Sequence, residues 1–86
     1  MKVNLPTPLV EYTGGVRDVE ADGSTLNDLL LDLDRRYPGI RFRMIDEQDN
    51  VRAHIKLFVN AELERSLAAP LNDHDKVIIV AALSGG

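Results

Sequence analysis

The segment Ser24-Thr25-Leu26-Asn27-Asp28-Leu29-Leu30-Leu31-Asp32-Leu33-Asp34-Arg35-Arg36-Tyr37-Pro38-Gly39 carries the strongest periodic signal in the chain. Leu26, Leu29, Leu30, Leu33 and Tyr37 stand at i, i+3, i+4, i+7 and i+11, which lines up one apolar face at the 3.6-residue period. Ser24 or Thr25 is placed to accept the first free backbone N–H groups, with Asp28 three residues past Thr25 in capping-box spacing. Arg35 and Arg36 put positive charge where the helix dipole is negative, and Pro38-Gly39 stops the run. The spacing predicts a helix over about residues 25–36.

Working outward, both flanks read as strands. Val3 and Leu5 alternate with polar residues until Pro6-Thr7-Pro8 removes the ladder donors. Thr13-Gly14-Gly15 reads as a loop between two β-like stretches, and Val16 to Ala21 as a second strand closed by Asp22-Gly23. Beyond the helix, Ile40, Met44 and Ile45 form an apolar flank on a short turn, and Asp46 to Asn50 a polar loop. Ile55 to Val59 is a strand, Asn60-Ala61-Glu62 a turn, and Glu64 to Ala69 irregular, with Pro70-Leu71 as its anchor. After the turn Asn72 to Asp75, Lys76 to Leu83 is the most strand-like run. Two strands, one helix and then further strands predict an α+β domain over residues 1–83, one helix across one sheet face, with Ser84-Gly85-Gly86 as a flexible tail.

One helix covers only one face of a small sheet, so its strands should alternate apolar and polar. The two late strands do not. If Leu57, Val59, Val77 and Ile79 face the helix, then Phe58, Ile78 and Val80 point away from it and form an apolar patch. Such a patch marks a contact surface for another protein. The competing readings are that the loop over residues 61–72 folds across it, or that the faces are inverted.

Composition excludes much else. Eighty-six residues leave room for one thin core and not for an enclosed cofactor chamber. Cysteine is absent, which removes disulfides, thiolate metal sites and thiol nucleophiles. The net charge of −4, with no basic stripe, argues against nucleic acid; Arg35, Arg36, Arg41 and Arg43 read as charge at and after a helix end. No apolar run reaches the ~18 residues of a membrane span, and the start Met1-Lys2-Val3-Asn4-Leu5 turns polar too soon for a signal peptide. The expectation is a cytoplasmic protein, monomeric on its own, with no membrane partner. His54 and His74 lack the spacing of a zinc site, and Asp28 and Asp32, four apart on a helix, read as a solvated face rather than paired catalytic carboxylates.

The last strand runs straight into Ser84-Gly85-Gly86. Glycine lets backbone thread a channel where any Cβ would collide, so the unusual reactive group is the terminal carboxylate itself. With the ββα start, Phe58-Val59-Asn60 before a turn, Asp73-His74-Asp75-Lys76-Val77 opening the last strand and terminal Gly85-Gly86, the chain resembles the ubiquitin-like sulfur carriers of the ThiS/MoaD family along essentially its whole length. The resemblance implies a β-grasp fold, a mixed sheet of four to five strands on one main helix. It implies a carrier, not an enzyme, that binds no cofactor of its own. Its Gly86 carboxylate would be adenylated by an E1-like enzyme of the MoeB/ThiF kind using ATP and Mg²⁺, then converted to a thiocarboxylate that a sulfur-accepting synthase consumes. Gly85 and Gly86 would be the site of that chemistry, and Phe58, Ile78, Val80, Leu83 and Ser84 the docking residues. Pro6-Thr7-Pro8 and Thr13-Gly14-Gly15 look more like the CysO-type carriers of cysteine biosynthesis; the molybdopterin synthase small subunit commonly has prolines before the tail, where this chain has Ala81-Ala82-Leu83. The small subunit of molybdopterin synthase, a protein modifier conjugated through Gly86 and an inert interaction module are the alternatives.

Overall fold

The computed structural model describes residues 1–82. Five strands, β1 (Lys2–Asn4), β2 (Asp18–Glu20), β3 (Ile55–Val59), β4 (Glu62–Leu63) and β5 (Lys76–Ala81), form one mixed sheet in the order β2-β1-β5-β3-β4. The first and last strands lie side by side in its middle and run parallel; every other neighbouring pair is antiparallel. The helix α1 (Leu26–Arg36) supplies the long crossover that parallel neighbours require. This is the β-grasp arrangement.

The helix starts and stops where the sequence places its signals. Thr25 is extended (φ −131°, ψ 165°), and its Oγ1 accepts the Asp28 N–H at 3.1 Å. The Asp28 carboxylate does not complete a reciprocal box; it accepts the Ser24 hydroxyl at 3.0 Å. At the other end Tyr37 donates its N–H to Leu33 O, and Asp34 Oδ1 accepts the N–H groups of Gly39 and Arg41. Gly39 sits at φ +97°, a conformation costly for any residue with a Cβ. Leu26, Leu29, Leu30 and Leu33 are fully buried against Val3, Leu5, Leu57, Val77 and Ile79, so the predicted stripe meets the predicted sheet face. Ile40, Met44 and Ile45, on either side of a 3-10 turn at Arg41–Arg43, close the end of the core.

Three expectations change. Residues Thr7–Thr13 form a 3-10 helix that buries Leu9, not a β-like stretch. Proline in its first turn lacks the donor a strand would need, and Gly14 ends it in the left-handed region at φ +66°. The second strand is only Asp18–Glu20, and Val16 is exposed. The turn after β3 contracts to Asn60 and Ala61, both at positive φ (51° and 69°), so Glu62 and Leu63 fold back to pair with Val59 and Phe58. That two-residue hairpin connection matches the right-handed strand twist.

The loop over residues 64–71 does not cross Phe58, Ile78 and Val80. It runs to the start of the helix. Ala69 O and Leu67 O accept the N–H groups of Leu26 and Asn27, and Leu71 donates its N–H to Ser24 O. Two of the helix's otherwise unpartnered donors are thereby satisfied, and Leu71 is buried beneath.

Candidate functional site

Register decides which side chains share a face. Phe58 stands opposite Ile78 and Lys56 opposite Val80, while Leu57 opposite Ile79 and Val59 opposite Val77 point into the core. Phe58, Ile78 and Val80 therefore lie together on the side of the sheet away from the helix. Phe58 and Ile78 are half-buried by their neighbours, and Val80 keeps 40% of its surface. Leu63, opposite Phe58 on β4, extends the patch and is 42% exposed. Sequence reasoning missed it, because a two-residue strand has no periodicity of its own; the available signal was Asn60, a residue tolerant of positive φ, three positions earlier.

Polar groups border this patch. Lys2 and Lys76 are paired across β1 and β5, and Lys56 lies beside Val80, so all three lysines of the chain fall on the outer face. On the far side, Asn4 donates its amide N–H to Asp18 Oδ1 at 2.9 Å, and Glu20 accepts from the amino terminus of Met1.

The last part of β5 has a free side. Pairing with β1 ends at Asn4 opposite Ile78, whereas β5 continues to Ala81 against β3 alone. Pro6 and Pro8 turn the chain away there, leaving a shallow groove beside Ile78, Ile79 and Val80. Arg17 sits at its edge, donating to Thr7 Oγ1 at 2.7 Å. Ala82 then donates its N–H to His54 O at 2.8 Å, the last described anchor before the tail. Leu83, Ser84, Gly85 and Gly86 lie outside the described residues.

The remaining candidates are not brought together. His54 is exposed where β3 begins, whereas His74 is exposed in the turn leading into β5, at the other end of the same antiparallel pair. Asp28 serves the helix start, and Asp32 bonds Arg36 at 2.9 Å and also Arg35. The Asp22 N–H, donated to its carboxylate, followed by those two guanidinium groups, holds Asp32 down at about 2. Asp75 is also held below the usual carboxylate range, by the Asn72 N–H and the Asn60 side chain. Among the described residues no cluster of three or more His, Asp or Glu is arranged to hold a metal ion, and no helix is long and apolar enough to cross a membrane.

A five-stranded mixed sheet with one helix, an apolar patch on its outer face and a central strand that a diglycine follows in sequence defines a ubiquitin-like β-grasp protein. The model of the ThiS family matches residues 3–86, and the chain belongs to that family. It is 37% identical over 89 residues to the sulfur carrier protein CysO of Mycobacterium tuberculosis, covering 98% of this chain and 96% of that protein. The crystal structure of Mycobacterium tuberculosis CysO superposes with a TM-score of 0.90 at 34% identity, over 95% of this chain and 98% of the other. CysO in a crystal structure of the BexX/CysO complex from Amycolatopsis orientalis does so equally, at 0.90 and 34%, over 99% and 98%.

Proposed function

We propose that this protein is a sulfur carrier of the CysO type, loaded at Gly86 and unloaded by a cysteine-forming synthase. The observation that carries the reading is the family match running through the final diglycine, which follows the middle strand of the sheet in sequence. Resonance makes a carboxylate a poor acylating agent. Attack of a Gly86 carboxylate oxygen on the α-phosphate of ATP, with release of pyrophosphate, gives a mixed anhydride whose AMP is a good leaving group. A sulfur nucleophile then displaces AMP and leaves a thiocarboxylate, which holds sulfur in a nucleophilic form that cannot diffuse away. ATP and Mg²⁺ belong to the E1-like activating enzyme of the MoeB/ThiF kind. The chain itself contributes docking through Phe58, Ile78 and Val80, with Leu83 and Ser84 following Gly85 and Gly86 into the partner.

That CysO of Amycolatopsis orientalis is crystallised with BexX supports the expectation that a carrier of this shape docks on a partner protein. The test is intact mass spectrometry. Incubated with its activating enzyme, ATP and a sulfur source, the protein should gain the mass difference between sulfur and oxygen, and deletion of Gly86 should abolish the gain. Sulfur transfer that persists in the truncated protein refutes the proposal.

A further inference from the structure

The outer face is not the only surface that a partner must meet. Four residues follow Ala82, and four residues of chain span at most about 14 Å however they are arranged. Any enzyme that acts on Gly86 must therefore bring its entrance against the residues around Ala82. Those residues form a second feature. Phe42 is 56% exposed, and the guanidinium of Arg52 lies over its ring, 4.6 Å from the centroid. Arg52 also donates its Nε–H to Phe42 O at 2.7 Å, which fixes the stack. Phe42, Arg43, Arg52, His54 and Ala81 line one hollow at this end of the sheet. Arg52 lines the adjoining hollow as well, with Lys56 and Arg65, where Glu64 is the one carboxylate among the described lining residues. Among the described residues, the carboxylate nearest Arg43 is that of Glu11, at 3.8 Å.

In a chain of net charge −4 this is a polarised arrangement. Arg43, Arg52 and Arg65 line the two hollows at the end of the β3–β5 pair where Ala82 lies, against Glu64 in that lining and Glu11 beside Arg43, while Glu62, Asp73 and Asp75 lie at the opposite end. Charge complementarity then selects the surface that fits. We infer that Phe42, Arg43 and Arg52 form a collar that seats on a carboxylate-bearing rim around the active-site entrance of the enzyme receiving the tail. The stack holds Arg52 in place before contact, so less side-chain freedom is lost on docking. The collar acts with the outer face: the patch sets where the partner lies, and the collar sets the approach of its entrance.

This inference rests on the carrier reading, and the experiment separates the two. Amide chemical shifts of the 15N-labelled full chain are followed at low ionic strength during titration with hexaglutamate, hexalysine and inorganic phosphate in parallel. Hexaglutamate should shift Phe42, Arg43, Arg52 and His54 selectively, with the response lost in high salt and in Arg43→Glu; hexalysine should leave them unmoved. Shifts spread evenly over the surface overturn the collar, and so does an equal response to phosphate, which would make the site a small-anion site. With the activating enzyme, Arg43→Glu should raise KM by roughly threefold to tenfold with kcat unchanged, the size expected of a rim charge. Arg52→Lys, which keeps the charge and loses the planar stack, should fall between. A normal mass gain with unaltered KM in Arg43→Glu refutes the collar and leaves the carrier reading intact. Absence of any mass gain in the unsubstituted protein refutes the carrier reading instead, and the peptide titration alone then decides whether the collar takes carboxylates.

Discussion

Replacing Phe58 by Asp separates a docking face from a core. Its neighbour Leu57 is 1% exposed and points at the helix, so Leu57→Ala should cost about 2–5 kcal/mol, the range for truncating a packed core leucine. Phe58 faces the other way and meets Ile78 and Leu63 across the strands. Each such cross-strand pair is worth roughly 0.2–1 kcal/mol, so Phe58→Asp should cost about 1 kcal/mol. For a domain of this length 1 kcal/mol moves Tm by about 4–8 °C, so Leu57→Ala should lower it several times further than Phe58→Asp. Docking should respond in the opposite order. Covering a large apolar side chain is worth about 1.5–3 kcal/mol, so Phe58→Asp should weaken binding to the activating enzyme roughly tenfold to a hundredfold. Thermal unfolding followed by circular dichroism gives the first quantity and calorimetric titration the second. Equal losses of Tm in the two variants would place Phe58 in the core and overturn the face assignment. An intact Phe58→Asp that docks normally would remove the outer face from the interface.

Asp32→Asn should destabilise the fold near neutrality and not in strong acid. The drop from 3.8 to about 2 sets a ceiling of about 2.4 kcal/mol at 1.36 kcal/mol per unit; with Arg35 72% and Arg36 37% exposed, solvent screening reduces this to about 1 kcal/mol. Because the folded value lies below the unfolded one, the contribution is complete above about pH 4 and fades as pH falls through about 2, so the Tm gap between Asp32→Asn and the parent should close there. A gap unchanged at pH 2 would show that packing, not charge, is responsible. Gly23→Ala should lower the urea midpoint by the equivalent of about 1–3 kcal/mol. A Cβ at Gly23 would stand 2.7 Å from the Asp28 carbonyl carbon and 2.8 Å from Leu29 Cα, and would also meet Leu29 N, all helix backbone that cannot swing aside. An unchanged midpoint would mean that the strand-to-helix connection relaxes freely.

What the sequence disclosed follows from the range over which each signal acts. The helix, β3 and the division of Leu57 from Phe58 rest on periodicity within one element, and the structure keeps them nearly residue for residue. The 3-10 helix at Thr7–Thr13, the two-residue β4 and the path of residues 64–71 were not legible in this way. The first two are too short to carry a period of their own, and the third takes its backbone partners from far along the chain: Leu67 O and Ala69 O serve donors some forty residues earlier. The motifs behind the family resemblance have a plain physical basis once folded. Asn60 donates to Asp75 Oδ1 at 2.7 Å and accepts the Lys76 N–H at 3.0 Å, while its own N–H reaches Lys76 O at 2.9 Å. Phe58-Val59-Asn60 and Asp73-His74-Asp75-Lys76-Val77 are thus two halves of one clasp that sets the β3–β5 register. Each half read alone looks like an ordinary turn. The role of the outer face is a different matter, since periodicity assigns a direction to Phe58, Ile78 and Val80 but no partner.

The clasp also bears on how the chain end is delivered. A one-residue slip between β3 and β5 would exchange Leu57 for Phe58 in the core and turn the outer face inward. It would also shift Ala82 away from His54 O. Register therefore couples two things that a carrier needs at once: which side chains meet the partner, and where the tail begins. β5 is suited to this because it is paired with β1 at its start and with β3 from Val77 to Ala81. Four residues separate Ala82 from the end of Gly86, which sets how far that carboxylate can lie from the anchor. On the proposed carrier reading, docking through the outer face would raise the effective concentration of Gly86 at the partner's entrance without any contact to the glycine itself. Loosening the clasp should then cost loading more than affinity, since the patch can still find its partner while the tail's starting point wanders.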